Sequence, residues 1–393
     1  MPASRCLAQI LRPTSITGDG VTPRQVSTAR HLYPTEIFKP RKIAVGATAL
    51  QKLKWACSLS LGEQSNPEPT VDGERLVDLL CDNVQHMFDD QGIDSTVYDE
   101  QIMFRDPITK YDTLTGYLFN IHLLKVLFRS QPHLHWVKQT GPYEITTRWT
   151  MIMKFILLPW KPELVFTGTS VMGVNPKNGK FCRHVDYWDS MEKNNYFSLE
   201  GLGDVIKQLR INKAPDLETP KYLILKRTAN YEDSMQVRKY AGFTVVETNG
   251  DKLSGSTGFN DVAGYVFGKN STMEKIPMTT PVLTQAYNAE LSDVSIQIVL
   301  PSDKDISSLP NPRLEKVILR EVEGGIAAAL KFSGKPTEDI VRVKERELRS
   351  SLLRDGLKPK KACLLACYND PGGAWSFTVR NEVLIWLEEF TLD

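Results

Sequence analysis

Residues 258–282, GFNDVAGYVFGKNSTMEKIPMTTPV, join an apolar helical face to a short basic loop that carries two methionines. Phe259, Val262, Ala263, Val266 and Phe267 fall at i, i+3, i+4, i+7 and i+8, which sets them on one stripe of a helix. Thr257 is placed to cap that helix and Gly268 to end it. Beyond it Lys269, Met273, Lys275 and Met278 crowd a loop that closes at Thr280-Pro281, where proline drives its predecessor into extended geometry and a strand can start. Such a stripe is most often the core face of a helix lying on a sheet. The alternative is a pocket wall for a flat apolar ligand with acidic edges.

The wording around this stretch favours the second reading. YLILKRTANYE (222–232), VRKYAGFTVVET (237–248), GFNDVAGYVFGKN (258–270) and EKIPMTTPV (274–282) follow one another in the order of the SOUL heme-binding family. EGGIAAALKFSGKPTEDIV (323–341) and NEVLIWLEEF (381–390) resemble that family's second repeat, so the likeness runs from Leu217 to Asp393. It implies a distorted β-barrel flanked by two helices and a heme or other tetrapyrrole as ligand. Phe259, Val262, Val266 and Phe267 would supply apolar contact, and Met273 and Met278 would adapt to the ring edge. Arg238, Lys269, Lys275, Lys344 and Arg349 would meet its carboxylates. Animal relatives carry basic residues within the first helix, whereas here none precedes Lys269 on that face.

At 393 residues the chain suits two domains and a tail. With 48 basic against 47 acidic residues it lacks the basic excess that nucleic-acid binding needs. The longest apolar run, WTMIMKFILLPW (149–160), is broken by Lys154 and Pro159 and falls short of the roughly 20 residues that span a bilayer, leaving only peripheral membrane contact open. Residues 1–60 hold Arg5, Arg12, Arg24, Arg30 and Arg41 against only Asp19 and Glu36, with many Ser and Thr, which is the composition of a transit peptide. Pro13, Pro23 and Pro34 interrupt an amphipathic helix, so chloroplast import is expected over mitochondrial, with a stromal location or one peripheral to thylakoids or lipid droplets. Cys6, Cys57, Cys81, Cys182, Cys363 and Cys367 form no CxxC pair and no zinc spacing, and a reducing compartment fits them. Cys363 and Cys367 share a strand-like run in which four residues span about 13 Å, too far for a disulfide between them.

Residues 71–200 read as an α+β domain. Leu76, Leu80, Val84, Met87 and Phe88 share a helical face, and a second helix runs through Leu118, Leu123 and Leu124. HWVKQTG (135–141), YEITTRWTMIMKFI (143–156), ELVFTGTSVMGV (163–174) and GKFCRHVDYWDS (179–190) follow as strands, divided by turn signals such as Gly141-Pro142 and Asn178-Gly179. Helices followed by a meander of long strands resemble the nuclear transport factor 2-like cone, with FRDP (104–107) and HVDYWD (184–189) similar to an uncharacterised plant and cyanobacterial branch. Residues 201–218 divide the domains, a short helical run through Leu202, Val205 and Leu209 leading into a polar linker at residues 212–218 that bears Pro215, and residues 219–393 read as the second domain. In that domain YEDSMQVRKYAG holds four extra residues, Asp233–Gln236, relative to the family's wording; a bulge or turn is expected there.

All six histidines, His31, His86, His122, His133, His135 and His184, precede the second domain, so no imidazole from residues 222–393 can ligate iron. Met273, Met278, Cys363, Cys367 or a tyrosine is left for that role, or iron is not ligated by this domain. Burying about 400 Å² of porphyrin at about 25 cal/mol/Å² yields roughly 10 kcal/mol, against association costs of about 4–15 kcal/mol. Reversible binding of that order fits a carrier, buffer or delivery protein, with tetrapyrrole-handling plastid enzymes as partners, rather than an enzyme. A second reading places acid/base chemistry in the first domain. His184 and Asp186, two apart on one strand, share a face, with Tyr98, Asp106 and Arg148 as further participants. A third is a lipid- or partner-binding protein at plastid membranes.

Overall fold

A computed structural model describes residues 73–194, 196–210, 216–229, 234–253, 257–288, 290–369 and 379–392. The transit segment expected at 1–60, with Cys6 and Cys57, lies outside them, as does Asp233. The first domain begins with α1 (Gly73–His86), whose Leu76 and Leu80 face the core. It continues through β1 (Tyr98–Arg105), β2 (Lys110–Tyr111), α2 (Leu114–Leu127), β3 (Phe128–Gly141), β4 (Glu144–Phe155), β5 (Glu163–Val174), β6 (Phe181–Trp188) and α3 (Leu199–Gln208). The strands form one sheet in the order β2-β1-β6-β5-β4-β3, antiparallel except for the parallel β1–β6 pair. α1 and α2 pack on this sheet. Thr113 caps α2 by accepting from Gly116 N, 3.2 Å. β3 starts at Phe128, seven residues before the strand expected from His135, because Phe128 turns extended and its ring packs on Phe155 across the hairpin. Pro132 sits inside β3 without breaking a ladder, since β3 is an edge strand.

The second domain contributes β7 (Tyr222–Ala229), β8 (Ser234–Tyr240), β9 (Phe243–Gly250), α4 (Phe259–Val266), β10 (Val282–Ala286), β11 (Val294–Val299), β12 (Ile318–Val322), β13 (Gly325–Phe332), α5 (Glu338–Arg354), β14 (Cys363–Cys367) and β15 (Asn381–Trp386). Its nine strands form an antiparallel sheet in the order β12-β9-β11-β10-β14-β15-β13-β8-β7. α4 packs on β9 and β11, and α5 on β13 and β15, so each helix closes its own apolar cluster against the strands. A third cluster, with Tyr240, Leu283, Tyr368 and Leu384, joins side chains that alternate with those under the helices. The fold class is α+β throughout. Ser234, Met235 and Gln236 of the supposed insert continue β8 and pair with β7 and β13; the irregularity lies instead in β7, between Ile224 and Lys226.

Both domains belong to one compact unit. β7 ends the nine-stranded sheet, and its outer backbone groups are met by side chains of the first domain. Thr150 Oγ1 donates to Ile224 O at 2.7 Å, Arg148 Nη2 donates to Leu225 O at 3.3 Å, and Arg227 N donates to Thr167 Oγ1 at 2.8 Å. Residues 199–208, partly inside the span read as dividing the domains, form α3, which packs on β5 and offers Asp204 to Arg227. That pair is bidentate at 2.7 and 2.8 Å and almost wholly out of water. Removing one partner of a buried ion pair leaves a charge without compensation, so Asp204→Ala is expected to cost about 3–5 kcal/mol, read as a lower urea midpoint. A charge-free replacement of both partners by apolar residues of similar volume should cost less.

Candidate functional site

α4 ends at Val266, and Gly268 with φ +101° turns the chain out of the helix as expected. Its start differs: Gly258, not Thr257, holds the cap position, and no side chain caps it. A Cβ at Gly258 would stand 2.7 Å from Asn249 O, so only glycine lets the helix approach β9 and β11 this closely. The consequence is that Val262 and Val266 are each 0 % exposed, packed on Val246, Ile296 and Ile298. They are core side chains and not the wall of an open cleft. Phe259 and Met278 are half-buried against the same cluster. Phe267 and Met273, by contrast, stand out at 45 % and 70 % exposure.

The loop that carries them is organised by a residue the sequence did not single out. Asn270, fully buried, donates to Tyr265 O at 3.0 Å and Glu274 O at 2.7 Å and accepts from Glu274 N at 3.0 Å. Met273 takes a left-handed φ of +58° as the loop turns. Lys269 and Lys275 flank it, exposed and outside the ion pairs formed among the described residues. Phe267, Lys269, Met273 and Lys275 are thus all exposed along one short segment, the shelf, that leaves the end of α4. The other basic residues are elsewhere. Arg238 is buried, bidentate to Glu382 at 2.6 and 2.9 Å and stacked over Tyr222. Lys344 and Arg349 lie along α5, paired to Glu347 and Glu345.

Among the iron ligands left open by the sequence, burial pushes the Cys363 and Cys367 thiols up to about 12, so both stay protonated and poor as ligands. Both are free. Tyr265 donates its hydroxyl to Pro310 O, and burial raises it to about 12. Met273 is exposed, as is Tyr287, whose hydroxyl donates to Glu247 at 2.9 Å. A pocket on the inner sheet face between Tyr222, Tyr240, Leu364, Tyr368 and Trp386 measures about 30 Å³, room for a water but not for a porphyrin.

In the first domain, His184 and Asp186 do meet on one face: His184 Nε2 and Asp186 Oδ1 are 2.9 Å apart. Tyr117 lies 3.0 Å from His184 Nδ1, Ser170 donates to Asp186 Oδ1 at 2.5 Å, and Trp149 Nε1 donates to Ser170 at 2.7 Å. These groups, with Asp106 and Tyr98, line a cavity of about 260 Å³ between the helices and the sheet. Arg148 does not join them. It points from the opposite face of β4 into a bidentate pair with Asp189. Both imidazole nitrogens of His184 are engaged, which leaves neither for a metal, and no cluster of metal-ligating residues occurs among the described residues.

Comparison with known proteins assigns both parts. Residues 217–386 match the SOUL heme-binding protein family, and residues 74–184 match the family described as Uncharacterized conserved protein (DUF2358). The C-terminal part is a SOUL domain. No curated protein matches the chain. Similar solved structures include a hydrolase from Listeria innocua, 12 % identical with a TM-score of 0.30, covering 39 % of this chain and 91 % of that one. A nuclear transport factor 2-like protein of unknown function from Exiguobacterium sp. 255-15 is 15 % identical with a TM-score of 0.24, covering 28 % and 98 %. A SnoaL-like polyketide cyclase from Shewanella denitrificans OS-217 is 15 % identical with a TM-score of 0.27, covering 34 % and 94 %. Likenesses this distant say nothing about activity.

Titration should separate the two domains. Burial, with Asp186 nearby, raises Asp106 to about 6 from its ordinary 3.8, despite donors from Ile108 and Thr109. A carboxyl raised on folding favours the folded state when protonated, so its contribution is full below about pH 4 and is lost as pH rises through about 6. In the SOUL domain, burial works against the Glu382 charge, but Arg238 and Arg380 hold it far below its ordinary value. Its contribution is present above about pH 4.5 and is lost as pH falls. Urea unfolding of Asp106→Asn should therefore lose part of the wild-type decline between about pH 4 and 6, while Glu382→Gln should lose part of the acid sensitivity below it.

Proposed function

We propose that the chain is a tetrapyrrole-binding protein of the plastid that buffers or delivers heme, holding the ring on the shelf of its SOUL domain. The observation that carries this is the match of residues 217–386 to the SOUL heme-binding protein family. Phe267 and Met273 offer exposed apolar and polarisable surface, and Lys269 and Lys275 stand beside it to meet propionates. The remaining residues of the first reading act behind the shelf. Phe259, Val262, Val266 and Met278 hold α4 to the sheet, and Arg238, Lys344 and Arg349 hold strands and helix through their acidic partners.

An open shelf changes the energetics. Covering one porphyrin face removes about 200 Å² of apolar surface, worth about 5 kcal/mol, at the lower end of the association cost of about 4–15 kcal/mol. Charge pairing with the two lysines then decides whether binding is measurable. Such a ring is easily released, which suits transfer to a tetrapyrrole-handling enzyme. The acid-poor composition of residues 1–60 supports chloroplast import.

Visible absorbance titration of the full chain with hemin and with metal-free protoporphyrin tests this reading. Saturable binding of both at similar affinity is expected, weakened about tenfold in Lys269→Glu/Lys275→Glu, a loss of about 1.4 kcal/mol. A hemin preference abolished by Met273→Ala would assign the thioether to iron. Unchanged affinity in the double lysine variant would move the site off the shelf, and no saturable binding of either ring would overturn the proposal in favour of a lipid or partner at plastid membranes. Val262→Asp/Val266→Asp is unsuitable as a probe, because two carboxylates in this core should unfold the domain.

A further inference from the structure

The cavity of the first domain has no part in the shelf's chemistry. Its wall is apolar, built from α1, α2 and β3–β5 by side chains such as Leu80, Val84, Leu134, Met151 and Met153. Its polar groups cluster around His184 and Asp186, and several remain unsatisfied. Asn120 lies one turn along α2 from Tyr117, on the same face; it is 7 % exposed, lines the cavity, and its amide is bonded to no described residue. Asp186 Oδ1 takes both Ser170 and His184, while its Oδ2 accepts nothing from the described residues. The Thr147 hydroxyl, 3 % exposed and lining the same space, is likewise unbonded among them.

None of these atoms is sealed off from the open space, so each is free to meet a donor or acceptor that enters the cavity. At about 260 Å³ the space far exceeds the roughly 30 Å³ that a water occupies in the liquid, and most of its wall is apolar. It approaches the lower end of ligand pockets, about 300–1,000 Å³. The charges then select the head group. Asp106 and Asp186 both face the cavity beside one histidine, so an anionic head is repelled. An ammonium could donate to Asp186 Oδ2, but it would lose its water to an apolar wall and has no lone pair for the Asn120 amide, while Asp106 is already met by Thr109 and Ile108. A hydroxyl has what is missing: a proton for Asp186 Oδ2 and lone pairs for the Asn120 amide.

We propose that this cavity binds a neutral, largely apolar alcohol, with its tail among the methionines and leucines and its hydroxyl at Asn120 and Asp186. The site is separate from the SOUL shelf and excludes tetrapyrroles, whose propionates it repels.

The test is fluorescence titration of the full chain with the neutral dye N-phenyl-1-naphthylamine at about pH 8, where carboxylates are ionised, followed by displacement with 1-decanol or decanoate. Saturable dye binding is expected, with 1-decanol displacing it at least about tenfold better than decanoate. Met151→Trp, which fills the cavity, should lower dye affinity at least about tenfold and leave hemin titration unchanged. Asn120→Leu should shrink the advantage of the alcohol. If Met151→Trp fails to fold, Leu134→Trp fills the same space from the neighbouring strand β3. Absence of saturable dye binding, equal displacement by decanoate, or undiminished affinity in a folded, cavity-filled variant would each overturn the proposal. None of these outcomes bears on heme binding, so the two readings fail separately.

Discussion

The Arg227–Asp204 pair, with the hydroxyls and guanidinium that meet β7, is the constraint on which the rest of the structure depends. A nine-stranded sheet that does not pair its first strand with its last has two edges, and an uncovered edge is a row of unpaired backbone donors and acceptors. At β7 the first domain satisfies that edge with side chains from β4 and β5 rather than with another strand. The arrangement uses both faces of β4. Thr147, Trp149, Met151 and Met153 turn to the cavity, while Arg148 and Thr150 turn to β7.

That double use explains what the sequence revealed and what it hid. The long strands of the first domain could be read from turn signals and strand-like runs, and α4 from apolar spacing. Which face of β4 looks inward could not be read, because both faces are buried and the polar/apolar alternation that marks a half-exposed strand is absent. Arg148 was therefore grouped with His184 although it faces away. His184 and Asp186 were legible because period-two geometry alone puts them together. Tyr117 and Ser170 were not, since they reach the pair from another helix and another strand. Asn120 carries no sequence signal at all. Arg238 looked like a free cation because its partner, Glu382, is 144 residues away.

The α4 stretch shows how one pattern served two purposes. Its apolar stripe is the core face that the spacing most often denotes, and the family likeness implies the same residues as ligand contacts. The structure separates them by position along the helix. Val262 and Val266 are sealed by the close approach that Gly258 permits, and of the apolar stripe only Phe267, just past the helix end, is exposed. Asn270 then fixes how that end is presented. Its bonds run to backbone atoms, apart from one accepted from the Thr272 hydroxyl, so they depend chiefly on the fold of the loop.

The side chains awaiting β7 have a temporal consequence. Whether leaving a ribosome or an import channel, the chain emerges N-terminus first, and domains fold as units in that order. Thr150, Thr167, Arg148 and Asp204 are therefore made before Ile224, Leu225 and Arg227. The first domain can present a finished dock to the nascent β7, seeding a long-range antiparallel sheet from its first strand outward. Placing the slower-forming topology second shortens the time for which its first edge stands naked.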